Sequence, residues 1–203
     1  MNDFNNLAKN YQRFLKNLKK FSEKDQRLIK KAYQLARQSH GQQRRDEGSL
    51  YIIHPLRAAN LLMADLKITD PAVIVAALLH DVVEDTAVSL DQIKKDFNRQ
   101  IFQLVKALTR FRPKNETTAQ KIKSKKAGFK KLMNSSAEIR LIKSVDLLDN
   151  IRSWRFIPPG HPSAKKFSRW QEEYQKFYLP LAKTADEHVY QEMKKAFRLF
   201  LKT

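Results

Sequence analysis

The sequence predicts an all-α protein, a single helical bundle of about eight or nine helices. Three observations point there. Glycine is scarce, 4 of 203 residues, while 42% of residues are hydrophobic. Apolar residues recur at three- and four-residue steps along most of the chain. Helix start signals precede these periodic stretches at regular intervals.

Phe4, Leu7, Tyr11, Phe14, Leu15, Leu18 and Phe21 form one amphipathic stripe, so residues 1–22 read as an N-terminal amphipathic helix. Residues 23–203 follow as one compact domain with no separating linker and no internal repeat. Ser22, with Asp25 three residues later, opens a helix over Glu23–Ser39 whose apolar side is Leu28, Ile29, Ala32, Tyr33 and Ala36. Gly41–Gly48 is a polar, arginine-bearing loop. Pro55 suits the first position of a helix that runs to about Leu66, and Asp70-Pro71 repeats that signal for the apolar run Ala72–Leu79. Ser89 and Gln92 make a capping-box pattern, with Val88 placed to staple onto Ile93. Ser135 and Glu138 do the same for a helix containing Ile142, Val145 and Ile151. Between those two, residues 112–131 are basic and weakly patterned. They read as partly mobile, with Lys121, Lys123, Lys125 and Lys126 as a cationic rim. Pro158–Pro162 is a break. Phe167, Trp170, Tyr174 and Phe177 then recur at helical spacing until Pro180, which ends or kinks that helix. A last helix spans Ala182–Phe200.

Composition narrows the chemistry. No cysteine is present, which excludes disulfides, thiolate zinc and a cysteine nucleophile, and fits a reducing cytoplasm. No signal peptide or membrane-length apolar run is seen. There is no glycine-rich phosphate loop and no Gly-x-Ser-x-Gly elbow. The net charge of +19 suits phosphorylated, polyanionic partners.

The most informative stretch is Leu79-His80-Asp81-Val82-Val83-Glu84-Asp85-Thr86. On one continuous helix, residues four apart share a face, placing His80 under Glu84 and Asp81 under Asp85. A core helix has no reason to end in such a patch unless something cationic or reactive sits there. His54, just before Pro55, and Asp146, inside the apolar pattern Ile142–Leu148, are the other candidates, because a buried Asp must be paired or metal-bound. Two imidazoles and two carboxylates suit manganese, iron or another first-row dication. His40, His161 and His188 read as surface or structural residues, and Trp154 and Trp170 as core.

These residues resemble a known family. His54, His80-Asp81 and Asp146 look like the HD-domain metallophosphohydrolase motif. The words Gly48–Pro55, Ala76–Thr86 and Lys143–Arg152 are similar to the hydrolase half of the Rel/SpoT homologue superfamily. With no synthetase region following, the resemblance is to the stand-alone small alarmone hydrolases. It implies a cytoplasmic, Mn²⁺-dependent (p)ppGpp 3′-pyrophosphohydrolase that yields GDP or GTP plus pyrophosphate and needs no obligate protein partner. By position, His54, His80, Asp81 and Asp146 would hold the metal, and Glu84 and Asp85 would activate water and handle protons. Arg45, Arg44, Lys143 and Asn150 would face the nucleotide. Leu50 stands where the family usually has proline, and Ser144-Val145 where Leu-Ala is usual; the motif residues are intact. Alternative substrates are ppApp, NADPH and 3′-pyrophosphorylated tRNA. A non-catalytic RNA-binding protein is the reading from another class.

Overall fold

The computed structural model describes residues 3–110 and 117–202. Among them the fold is the expected all-α bundle, with a number of helices close to that expected and one isolated bridge between Arg44 and Leu50. No helix is long and apolar enough to cross a membrane.

Phe4 lies in a short 3₁₀ turn rather than in the first helix. Asn6 accepts the amide of Lys9 and starts α1 (Leu7–Leu18), which buries Phe14 and Leu18. Ser22 accepts the amide of Asp25 and opens α2 (Glu23–His40). α3 (Ile53–Asn60) begins two residues before Pro55. Proline still sits in the first turn, where its missing N–H is no loss. A π turn, Leu61–Asp65, extends α3. Asp70 caps α4 (Pro71–Leu79), whose residues Ala72–Leu79 are all buried. A helix apolar on every side belongs at the centre of a bundle, and α4 packs against α2, α3 and two later helices, Arg99–Leu108 and Ala137–Trp154.

Several expected helices are divided, each by a local cap or interruption. α5 (Val82–Asp85) is a single turn after α4. The Ser89 helix stops as α6 (Leu90–Asp96), because Asn98 caps a new one, α7 (Arg99–Leu108), through the amide of Ile101. The last expected helix splits at Asp186, which accepts the amide of Val189. It thus separates α11 (Leu179–Ala185) from α12 (Glu187–Phe200). The aromatic helix is interrupted just ahead of Pro180: α10 (Phe167–Glu173) reaches α11 through the π turn Tyr174–Tyr178, and Pro180 sits in the first turn of α11.

Two expectations are corrected. Residues 111–116 lie outside the described residues, but from Thr118 the basic segment is a regular helix, α8 (Thr118–Met133), opened by a Thr117–Gln120 capping box. Lys123 and Lys126 are exposed, while Lys125 turns inward to Glu173 at 2.5 Å; the side chain of Lys121 lies outside the described residues. The next helix, α9 (Ala137–Trp154), starts after Ser136 rather than Ser135, because the Ser135 hydroxyl is spent on the carbonyl of Leu132 at the end of α8.

The C-terminal helices close the bundle through aromatic packing. Tyr174 stacks on Phe197 at 3.7 Å and Trp154 on Trp170 at 5.0 Å. Burial pushes the Tyr174 phenol up to about 12, with Tyr190 adding to it. Burial, then Glu173, raises Tyr178 well above the phenol range. Both folded-state values exceed the unfolded value of about 10, so this stability is complete below that pH and is lost as pH rises through the folded values. The unfolding free energy in urea is therefore expected to fall from about pH 10 upward. Tyr178→Phe should flatten that decline; an unchanged alkaline slope would refute the assignment.

Candidate metal centre

Three elements converge at one buried point: the first turn of α3, the end of α4 and the middle of α9. His54 and His80 are fully or almost fully buried, and Asp146 is 3% exposed. Their ligand-capable atoms are close. His80 Nε2 lies 3.0 Å from Asp81 Oδ2 and 3.6 Å from Asp146 Oδ1. His54 Nε2 lies 3.1 Å from Asp146 Oδ1, 3.6 Å from Asp81 Oδ2 and 3.2 Å from His80 Nε2. His54, His80 and Asp81 form a group whose atoms lie within 4.8 Å of one another.

The expected stacking holds for Asp81 and Asp85, whose backbone is joined by a helical hydrogen bond at 2.9 Å and whose carboxylates meet the same Tyr51 hydroxyl, whereas the amide of Glu84 turns to Asp81 rather than to His80. α4 ends at Leu79, and the chain pauses at Asp81 (φ −101°, ψ −10°) before the single turn of α5. The interruption has a use. Neighbouring side chains on a regular helix diverge by about 100°, whereas here His80 and Asp81 turn to the same point. Glu84 and Asp85 take different partners. Glu84 Oε1 accepts the amide of Arg110 at 2.6 Å. Asp85 Oδ2 accepts the hydroxyl of Tyr51 at 3.2 Å, and the same hydroxyl donates to Asp81 Oδ2 at 2.7 Å.

The partners of the two imidazoles fix where their protons sit. His54 Nδ1 faces Asp149 Oδ2 at 2.6 Å, and His80 Nδ1 faces the carbonyl of Ala77 at 2.8 Å. Both partners accept, so each Nδ1 carries a proton and each Nε2 is the atom turned toward the site and left to take a cation. Two Nε2 atoms and two carboxylate oxygens thus converge. Such a set calls for a cation, and its mixed nitrogen and oxygen character fits a first-row dication. A proton on His80 fills the role of that cation beside the two carboxylates, and a bound dication would displace it. Burial opposes charge on His80, yet Asp81 and Asp146 outweigh it and hold the ring well above the usual histidine range. Burial would raise Asp81, but His80 keeps it below the usual carboxylate range. Asp146 is likewise held low against its burial, by Lys143 and His80.

The expected substrate residues are near but already engaged. Lys143 Nζ lies 2.6 Å from Asp146 Oδ2. Asn150 donates to Asp146 Oδ1 at 2.7 Å and accepts from Arg45 Nη2 at 2.8 Å. The Arg45 side chain is 8% exposed and also contacts Glu47 and Ser153. Arg44 donates to the carbonyl of Gly48. Two cavities flank Asn150 and share Leu147 and Tyr178 with it. One, about 320 Å³, is bordered by Arg44, Arg45, Tyr51 and Trp170. The other, about 410 Å³, reaches Glu84 and Asp146 and carries Arg110, Lys125, Lys131 and Lys143.

Sequence reasoning missed Asp149, Arg57 and Tyr51. Asp149 was a readable signal, a second acid inside the apolar pattern of α9 and three residues from Asp146. The backbone amide of Arg110 has no sequence signature. His40 is buried rather than superficial; it stacks on Tyr51 at 4.5 Å and contacts Gln43. His161 caps the amide of Ser163.

An all-α bundle that gathers two histidines and two aspartates at one buried point is the arrangement of an HD domain. A family model described as HD domain matches residues 32–186. The chain belongs to the HD domain family and, within it, to the branch that includes MESH1. Human MESH1, a guanosine-3′,5′-bis(diphosphate) 3′-pyrophosphohydrolase, is 38% identical over 132 residues, which are 64% of this chain and 71% of that protein. The Xenopus tropicalis protein of the same name is 32% identical, over 73% of this chain and 83% of its own length. A guanosine-3′,5′-bis(diphosphate) 3′-pyrophosphohydrolase of Aquifex aeolicus is 36% identical over 159 residues, and the chain spans only 21% of its length. A solved structure of a metazoan ortholog of SpoT that hydrolyzes ppGpp superposes with a TM-score of 0.73 at 27% identity, covering 84% of this chain and 94% of the other.

Proposed function

We propose that this chain is a metal-dependent guanosine-3′,5′-bis(diphosphate) 3′-pyrophosphohydrolase that uses Mn²⁺ and acts in the cytoplasm as one compact unit. The observation that carries the reading is the convergence of four ligand-capable atoms, two imidazole Nε2 and two carboxylate oxygens, from His54, His80, Asp81 and Asp146. The 3′-pyrophosphohydrolase activity for which the MESH1 relatives are named supports it.

In this reading those four residues hold the ion. When bound, it supplies Lewis acidity toward the 3′-diphosphate and acidifies water. The chain's own groups do the rest. Water adds to phosphorus, the bond to the ribose 3′-oxygen breaks, and that oxygen takes up a proton, leaving GDP or GTP and pyrophosphate. Glu84, oriented by the amide of Arg110, accepts the proton of the water, and Asp85, held by Tyr51, assists. Asp149 and the carbonyl of Ala77 keep both Nε2 lone pairs aimed inward. Lys143 and the cationic wall of the larger cavity offset the charge on the phosphoryl oxygens. Arg45, Arg44 and Asn150 face the nucleoside from the smaller cavity.

The test is product analysis of ppGpp with Mn²⁺ and then with EDTA. GDP and pyrophosphate released only with metal is the expected result; no turnover with metal demonstrably bound would overturn the substrate. The charge of +19 favours a second reading, a 3′-pyrophosphorylated RNA. Binding through many phosphates would weaken steeply with salt, whereas a small nucleotide would respond weakly.

A further inference from the structure

We propose that the N-terminal turn, residues 3–6, is a positioning element for His54, acting through Arg57 and Asp149. This rests on the reading above, in which His54 is a metal ligand. The turn lies outside residues 32–186, the region matched by the HD domain model.

Arg57 is buried, with 6% of its side chain exposed; its Nη2 lies 3.9 Å from Glu47 Oε1, and its hydrogen bonds run in two directions. Toward the site, Nε donates to Asp149 Oδ1 at 2.7 Å and Nη2 to Asp149 Oδ2 at 2.8 Å. This is a bidentate fork, which fixes direction as well as charge. Toward the N-terminus, Nη1 donates to the carbonyl of Phe4 at 3.3 Å and to Asn5 Oδ1 at 2.9 Å. The ring of Phe4 lies over the guanidinium at 3.8 Å and stacks on Phe156 at 5.3 Å. The turn is itself anchored, since Asn10 donates to the carbonyls of Phe4 and Asn6. The guanidinium is thus held in plane by the turn and holds Asp149 in turn. Asp149 Oδ2 accepts from His54 Nδ1 at 2.6 Å. A planar fork fixed on one edge and one face has little freedom to rotate. Groups that orient a ligating imidazole set its lone-pair direction. Loosening the turn therefore frees Arg57, then Asp149, then the His54 ring, without touching any metal ligand.

The experiment uses the full chain carrying Phe4→Ala with Asn5→Ala, and two measurements. The first is the downfield proton resonance of the hydrogen-bonded His54 Nδ1–H in metal-free protein. The second is the Kd for Mn²⁺ by calorimetry. The resonance is expected to shift or broaden and the Kd to weaken by about 10- to 100-fold. Phe4→Tyr, which keeps a ring on the guanidinium, should retain both wild-type values. A merely structural role would lower the melting temperature and leave resonance and Kd unchanged, which overturns the proposal. If the wild-type protein binds no Mn²⁺, the metal reading fails, and the resonance still decides the positioning role. Should the double variant lose helicity, Asn5→Ala alone is measured and read the same way.

Discussion

Asp81→Ala is expected to abolish tight Mn²⁺ binding and to remove nearly all turnover while leaving the helical fold in place. Asp81 Oδ2 sits 3.0 Å from His80 Nε2 and faces His54 Nε2. Losing one carboxylate from four converging groups removes both a ligand and a negative charge. A bound dication contributes several kcal/mol of charge stabilisation, and at 1.36 kcal/mol per decade about 4 kcal/mol corresponds to roughly 10³-fold in rate. The fold should survive, because Asp81 lies at the pause between α4 and α5, outside the apolar contacts of α4. Its donor Tyr51 also keeps Asp85 at 3.2 Å. Calorimetry with Mn²⁺, circular dichroism and ppGpp turnover measure the three parts. Retained turnover in a folded variant would remove Asp81 from the metal centre.

Glu84→Gln should leave Mn²⁺ affinity near wild type and lower kcat by roughly 10²–10⁴-fold, the usual worth of a positioned proton acceptor. The isosteric amide oxygen can still accept the Arg110 amide that Glu84 Oε1 accepts at 2.6 Å. Position is therefore kept and only basicity is lost. This separates proton transfer from binding: KM should move little while kcat falls. The matching Asp85→Asn change tests the neighbour, whose carboxylate is held by Tyr51. A near-normal rate for Glu84→Gln with a collapsed rate for Asp85→Asn would exchange their roles.

The fold class was legible because it rests on local chemistry. The caps at Ser22, Asp70 and Ser89 and the unbroken apolar run of α4 are sequence facts that the structure repeats. Where reading along the chain failed, the deciding partner was distant or the alternative cap was adjacent. Ser136 rather than Ser135 starts α9, because Ser135 is taken by the preceding helix. Asn98 and Asp186 cut helices that apolar periodicity alone would continue. Lys125, read as part of a solvated rim, is drawn inward by Glu173, 48 residues away in sequence by direct numbering.

The candidate site divides in the same way. The sequence by itself determined which residue types were available, two histidines and several carboxylates set in apolar surroundings, and their family resemblance. It could not determine direction. The break of α4 at His80 and Asp81 is a local turn that periodicity does not announce, while the pairing of His54 with Asp149 and the Arg57 contact that reaches back to Phe4 join positions 95 and 53 residues apart. Helix periodicity is a local property of backbone geometry. The aim of a lone pair depends on which donor or acceptor the folded chain brings against the other face of the ring, and only the packing of α1, α3, α4 and α9 around one point decided that.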